Sequence, residues 1–208
     1  MFEKPELTNV RRIFCLFLLP PVNWITVWLC FFFGVLFTMG FRFLNKNSYV
    51  SDQRSYAGRP LGGWIIFLGL TMIIRVAIQG YYFYIENYFL KSTWTRLDLA
   101  GGAKLQTLFI FEMFISLLAI ASTGALIFWF FGRRDIFPKM FVYTLAVLLA
   151  AQLVLLILYY VINLPFSVET SRKEMWLQFV RMVVYSAVWG AFVTLSENVK
   201  QTFVYPPG

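Results

Sequence analysis

Five long apolar stretches, separated by short polar ones, dominate this chain: Asn23–Phe43, Gly62–Tyr84, Leu105–Phe131, Met140–Asn163 and Glu174–Ser196. A helix rises 1.5 Å per residue, so crossing a hydrocarbon core of about 30 Å takes about 20 largely apolar residues. Each stretch meets that length. Composition agrees: 60% of the 208 residues are hydrophobic and 13% charged, against roughly 25% charged in a soluble domain. A water-soluble fold has no interior large enough for so much apolar surface. The expected fold is therefore an all-α integral membrane protein, a bundle of five transmembrane helices in which the last four form a core.

Local signals punctuate the stretches where loops are needed. Arg59-Pro60 precedes the second, Gly101-Gly102 the third, Pro138 separates the third from the fourth, and Pro165 follows the fourth. Near the N-terminus, Ile13–Leu19 is too short to span, and Pro20-Pro21 interrupts it by removing two backbone donors. That segment reads as an interfacial or half-inserted helix. The organisation is an N-terminal part, residues 1–58, followed by a four-helix membrane domain, residues 59–208.

Basic residues set the expected orientation. Lys91, Arg96, Lys104, Arg172 and Lys173 lie between the second and third or the fourth and fifth stretches. The larger set, Arg42, Lys46, Arg54, Arg59, Arg133, Arg134, Lys139 and Lys200, lies on the other side and is expected in the cytoplasm. Lys4, Arg11 and Arg12 fall outside with five full spans, and inside if the N-terminal segment is a re-entrant hairpin.

Several chemistries lack their residues. The chain has no His, the commonest metal ligand and general base. Cys15 and Cys30 have no CxxC spacing and read as apolar fillers. Phosphate-loop and dinucleotide glycine patterns are missing, and neither a cofactor nor a nucleic-acid partner is expected. An enzyme acting on lipid would need a metal cluster or a nucleophile–base pair.

What remains is polarity at depth. Arg75, Glu112 and Arg181 are charges within spans, where each costs about 2.5–3.5 kcal/mol on insertion scales. Counting helical rise from the expected span ends puts Glu112, Arg181 and Arg75 each about 10 Å below the outer face, and Gln152 about 12 Å below it. Two readings follow. In one, Glu112 staples an arginine, with amides and Ser116 satisfying the rest. In the other, an outward-opening polar cavity between the second, third and fifth helices accepts an anionic group, with Tyr82, Trp176 and Tyr185 around its mouth. Two arginines against one glutamate leave a cation whose cost a bound anion would offset, as would Arg75 snorkelling toward the outer interface, and the structural reading is the weightier of the two.

Three motifs occur in order. They are Gly62-Gly63-Trp64-Ile65-Ile66, then Phe130-Phe131-Gly132-Arg133-Arg134-Asp135-Ile136-Phe137-Pro138, then Asn198-Val199-Lys200-Gln201-Thr202-Phe203. In these the chain resembles a bacterial family of small four-helix inner-membrane proteins, catalogued as a domain of unknown function, over about residues 60 to 204. Gly132 departs from the pattern, which has a basic or polar residue there. The resemblance implies a four-helix architecture, a cytoplasmic C-terminus and a multi-pass location in the bacterial inner membrane, with the first helix an addition. It implies no activity. The expected function is non-enzymatic: an accessory or structural subunit, or a module binding a lipid or other amphiphile. Membrane lipids, an anionic amphiphile, and a homo-oligomer or larger membrane complex are the expected partners. The alternative is a small transporter or channel subunit with Arg75, Glu112 and Arg181 along its path, although five helices are few and no inverted repeat shows.

Overall fold

The computed structural model describes residues 22–46, 63–161 and 169–203. Six helices account for nearly all of them: α1 (Trp24–Lys46), α2 (Gly63–Ile85), α3 (Lys91–Phe131), α4 (Phe137–Val161), α5 (Glu169–Leu195) and the short α6 (Glu197–Phe203). Five helices are long and apolar enough to cross a membrane. Helices are what the sequence demands there, because hydrocarbon offers no partner to a backbone N–H or C=O left open.

The core helices follow one another around the bundle, α2 against α3, α3 against α4, α4 against α5. α1 lies outside that ring on α3, with Phe33 against Phe114 and Phe41 stacked on Trp129. The ring closes between α5 and α2 through long side chains. Phe67 meets Trp189 with ring centroids 5.8 Å apart, and Arg75 reaches Met182 and Tyr185.

The end bearing the 132–136 turn is tightly packed. Buried Phe130 lies 5.2 Å from the Phe137 ring and 5.7 Å from that of Phe203, and Phe137 and Phe203 are 4.7 Å apart. Ile65 and Leu68 from α2 and Val193 from α5 join the same cluster, so both ends of the chain's matched core meet here. Gly69 is small for a reason: a Cβ there would stand 2.7 Å from Cε1 of Phe130. The turn itself is held by Gly132 N–H donating to Phe128 O at 2.9 Å and Arg134 N–H donating to Trp129 O at 2.9 Å. Pro138 does not separate the helices as expected. It sits in the first turn of α4, which starts at Phe137, where a missing N–H leaves no bond unmade.

The opposite end is divided. One cluster joins α3, α4 and α5 through Leu108, Leu155, Leu156, Tyr159 and Met175. A second joins Tyr88 of the 86–90 connection to Phe109 and Met113, with Leu29, Cys30 and Phe83 packed on it. Here α3 is longer than the sequence suggested, starting at Lys91 rather than Leu105. Gly102, at φ 58° and ψ −145°, kinks it; that left-handed conformation is one glycine adopts without penalty. The segment before the kink is pinned by Trp94, whose indole N–H donates to Tyr88 O at 2.8 Å. Asn23 N–H donates to Phe89 O at 2.8 Å, so α1 enters at this same end. The expectations for Ile13–Leu19, Pro20-Pro21, Arg59-Pro60 and Pro165 lie outside the described residues.

Two outcomes test this architecture. Single cysteines at Lys200 and Arg134, in a background without Cys15 and Cys30, will react with an impermeant thiol reagent from one side of sealed vesicles, and cysteines at Lys91 and Leu99 from the other. Labelling of Lys200 and Leu99 positions from the same side would be incompatible with it. Gly69→Val will lower the thermal unfolding midpoint, an overpacking cost of about 1–3 kcal/mol, and adding Phe130→Leu will recover part of it.

Candidate functional site

The inner packing fixes a common baseline for depth, since α2 and α4 start and α3 and α5 end at that face. Helical rise from there places Arg75 about 18 Å in, Arg181 about 21 Å and Gln152 about 22 Å. These three share a layer. Glu112 does not, because it stands about 28 Å from the same baseline. Counting from Leu105 placed it deeper than it is: the straight part of α3 after Gly102 is about 43 Å long and overshoots a core of about 30 Å.

The side chains follow these levels. The Arg75 guanidinium donates from Nη2 to Met182 Sδ at 2.9 Å, and its Cζ lies 4.7 Å from the centroid of the Tyr185 ring. Both contacts suit a cation, one through a polarisable sulfur and one through a π face, yet neither carries negative charge. Arg181, next to Met182 in sequence, is exposed on the outside of the bundle. Glu112 is half-buried and makes no hydrogen bond or ion pair among the described residues. The expected staple of Glu112 on Arg75 or Arg181 is therefore not formed; Glu112 stands about 10 Å from the level of Arg75 and about 7 Å from that of Arg181, whose side chain faces outward.

Glu112 has other neighbours instead. It lies within electrostatic reach of Tyr88 and Tyr159, and Glu86, exposed at the outer end of the 86–90 connection, acts on all three. Burial pushes the Tyr88 phenol up, and the Glu112 carboxylate pushes it the same way, so Tyr88 stays neutral; its hydroxyl pairs with Ser116. Ser116 and Glu112 are four residues apart on α3 and share one helical face.

Around Arg75 the bundle holds acceptors that lack donors. The side-chain oxygens of Gln79, Gln152 and Ser186 are buried and have no hydrogen-bond partner among the described residues. A buried acceptor left dry costs about 1–3 kcal/mol. Gln79 and Ser186 escaped the sequence reading because uncharged polar residues are common in membrane helices. Their signal is spacing, as Gln79 follows Arg75 by four residues and Ser186 follows Met182 by four, one turn on in each helix. Of the residues expected around a mouth, Tyr185 lies under Arg75, while Tyr82 and Trp176 are 59% and 49% exposed and face outward.

Residues 58–204 match the family described as "Protein of unknown function (DUF2569)". The chain belongs to this family. Searches of curated proteins and of solved structures returned no match. The DUF2569 region takes in α2 to α6, and with them Arg75, Glu112, Gln152 and Arg181; α1 precedes it. This DUF2569 protein is a multi-pass membrane protein, and its intramembrane charges lie at two levels, Arg75 between α2 and α5 and Glu112 nearer the α2–α3 connection.

A double-mutant cycle separates this arrangement from a staple. The destabilisation of Glu112→Gln and that of Arg75→Met will add to within about 0.5 kcal/mol when combined, as for distant sites. A coupling of 1 kcal/mol or more, read from chemical unfolding in mixed micelles, would mean that the two charges meet.

Proposed function

We propose that this DUF2569 protein is a non-enzymatic module of the bacterial inner membrane that binds an anionic amphiphile laterally, in the seam between α2 and α5. The 132–136 turn and α6 face the cytoplasm in this reading, as the excess of Lys and Arg on that side favours. The supporting observation is Arg75 reaching from α2 to Met182 and Tyr185 of α5, with Arg181, the residue before that methionine, exposed at the bundle surface. Neither arginine has a negative partner among the described residues.

Physical chemistry makes such a pair costly in plain lipid. Arg181 lies about 9 Å inside the outer limit of its candidate span, Met175–Leu195, so its charge must snorkel or be neutralised in place. A phosphate or carboxylate with an apolar tail offers neutralisation, and the planar guanidinium fork holds such a group through two parallel hydrogen bonds. The seam suits lateral entry because α2 and α5 meet there through side chains rather than close backbone packing. The tail would lie along the exposed apolar flanks of Ile74, Ile78 and Val184.

The test is mass analysis of what purifies with the protein from native membranes. The intact protein is expected to retain an anionic amphiphile through delipidating washes. Arg75→Met and Arg181→Met will each reduce retention by about tenfold or more, the loss of one charge-assisted bond. Arg75→Lys will retain less than the parent, since it keeps the charge and loses the fork. Equal retention in both methionine variants would remove the seam as a binding site.

A further inference from the structure

We propose that Arg133, together with Arg42 and Lys46 of α1, forms a docking surface for anionic phospholipid headgroups at the membrane face that carries the 132–136 turn. The surface lies outside the α2–α5 seam and does not rest on that seam binding anything.

The turn supplies the first support. Arg134 N–H donates to Trp129 O at 2.9 Å, and Arg133 N–H donates to Phe130 O at 3.1 Å. In a helix end closed by this pair of bonds, the residue one beyond the cap is left-handed, and glycine is its usual occupant. Here that residue is Arg133, at φ 46°. The Cβ of an L-residue crowds the next carbonyl in that conformation, so arginine is strained where glycine would not be. Glycine stands one position earlier instead, as Gly132, with a right-handed φ of −73°. It serves closeness there, since a Cβ would stand 3.0 Å from Phe128 O. Folding alone favours glycine at position 133, and the strain that Arg133 carries points to a use for its side chain.

Ring packing brings two more cations to the same end. Phe41 of α1 stacks on Trp129 at 5.3 Å and meets Phe128 edge-on at 5.5 Å. α1 and α3 run in the same direction, because Asn23, just before α1, bonds Phe89 near the start of α3. From the Phe41–Trp129 level, Lys46 lies about 8 Å further along and Arg133 about 6 Å further along. Arg42 and Lys46 are both exposed and one turn apart, a spacing at which like charges repel. The side chains of Arg42, Lys46 and Arg133 make no hydrogen bond or ion pair among the described residues. α1 itself contains no acid. Asp135 and Glu197 are the acids described at this end, and both are engaged, Glu197 with Lys200 at 3.4 Å.

The neighbours of these charges select a lipid as the occupant. Exposed Phe43, Phe128 and Phe131 each come a few residues before Lys46 or Arg133, so apolar rings lie on the membrane side of the cations. A phospholipid has the same order, with acyl chains in the core and a phosphate at its edge. An acidic soluble segment has no use for the rings. The guanidinium forks of Arg42 and Arg133 can hold a phosphate through paired hydrogen bonds. A general excess of Lys and Arg on one side of a membrane accounts for the charges, but not for an arginine in a left-handed position.

Thermal unfolding of the full chain tests this in zwitterionic detergent micelles titrated with phosphatidylglycerol, or with phosphatidylcholine of the same acyl chains. The parent's midpoint is expected to climb and saturate with phosphatidylglycerol and to climb less with phosphatidylcholine. Arg42→Gln with Lys46→Gln will raise the half-saturating amount of phosphatidylglycerol about tenfold or more. Arg133→Gly carries the sharper expectation. Without added lipid its midpoint will exceed the parent's, as strain is relieved, and its climb with phosphatidylglycerol will be smaller. Arg96→Gln, at the other end, will respond as the parent does. Equal responses to the two lipids would overturn the proposal and leave an acidic protein segment as the partner that these charges fit. So would a phosphatidylglycerol response unchanged in the α1 double variant and in Arg133→Gly, or one lost in Arg96→Gln. A midpoint lowered by Arg133→Gly without lipid would also overturn it, by making that side chain part of the fold.

Discussion

The packing of Phe130, Phe137 and Phe203 is the interaction on which the rest of the bundle depends. Lipid tails are as apolar as leucine, so helices in a bilayer gain little from burying apolar surface against each other and must associate through close van der Waals contact and hydrogen bonds. Large flat rings at ring-to-ring distances of 4.7 to 5.7 Å supply that contact at one end. Gly69 lets α2 approach the same rings, and α6 returns to deliver Phe203 to them. Each of the core helices is therefore fastened near the 132–136 turn, and the helices reach the other end with no equivalent fastening.

That asymmetry decides where polar groups can live. Near the aromatic packing the interior is filled, and Trp129 Nε1, buried there, sits on a ring used mainly for stacking. Further along, the packing splits into two smaller clusters and the α2–α5 contact passes to side chains. Arg75, Gln79, Gln152, Ser186, Ser116 and Glu112 occupy this looser part. Small and polar residues on α3, such as Ser116, Ser122 and Thr123, are tolerated because the helix is surrounded, with α1 on one side and α2 and α4 on others.

The architecture was legible in the sequence because the membrane imposes a length, and five stretches meet it. The two-glycine punctuation at Gly101-Gly102 also held its meaning, although as a kink inside α3 rather than a loop before it. The level of Glu112 was not legible. Depth was counted from where apolar residues begin, at Leu105, but the straight part of α3 after the Gly102 kink is about 43 Å long and exceeds a core of about 30 Å. Counting from that far end moved Glu112 into the arginine layer. The facing of Arg181 was likewise hidden, since a one-residue step turns a side chain through about 100°, and Met182 rather than Arg181 points inward. The tyrosines around Glu112 come from a connection and from the last turns of α4, far apart in sequence, and only the tertiary fold assembles them.

The bundle keeps its opposite intramembrane charges apart. An ion pair between Glu112 and an arginine would neutralise both, and breaking such a pair costs about 3–5 kcal/mol, so a chain selected for stability alone would be expected to keep them in reach. Here α3 carries Glu112 about 10 Å beyond the level of Arg75 and about 7 Å beyond that of Arg181, while Arg75 turns to a sulfur and an aromatic face, contacts that orient a cation without cancelling its charge. Glu112 in turn lies within electrostatic reach of Tyr88, Tyr159 and Glu86. No described residue of opposite charge pairs with Arg75 or Glu112. The cost is borne by the packing at the other end, which can hold the bundle together without help from electrostatics in the open half.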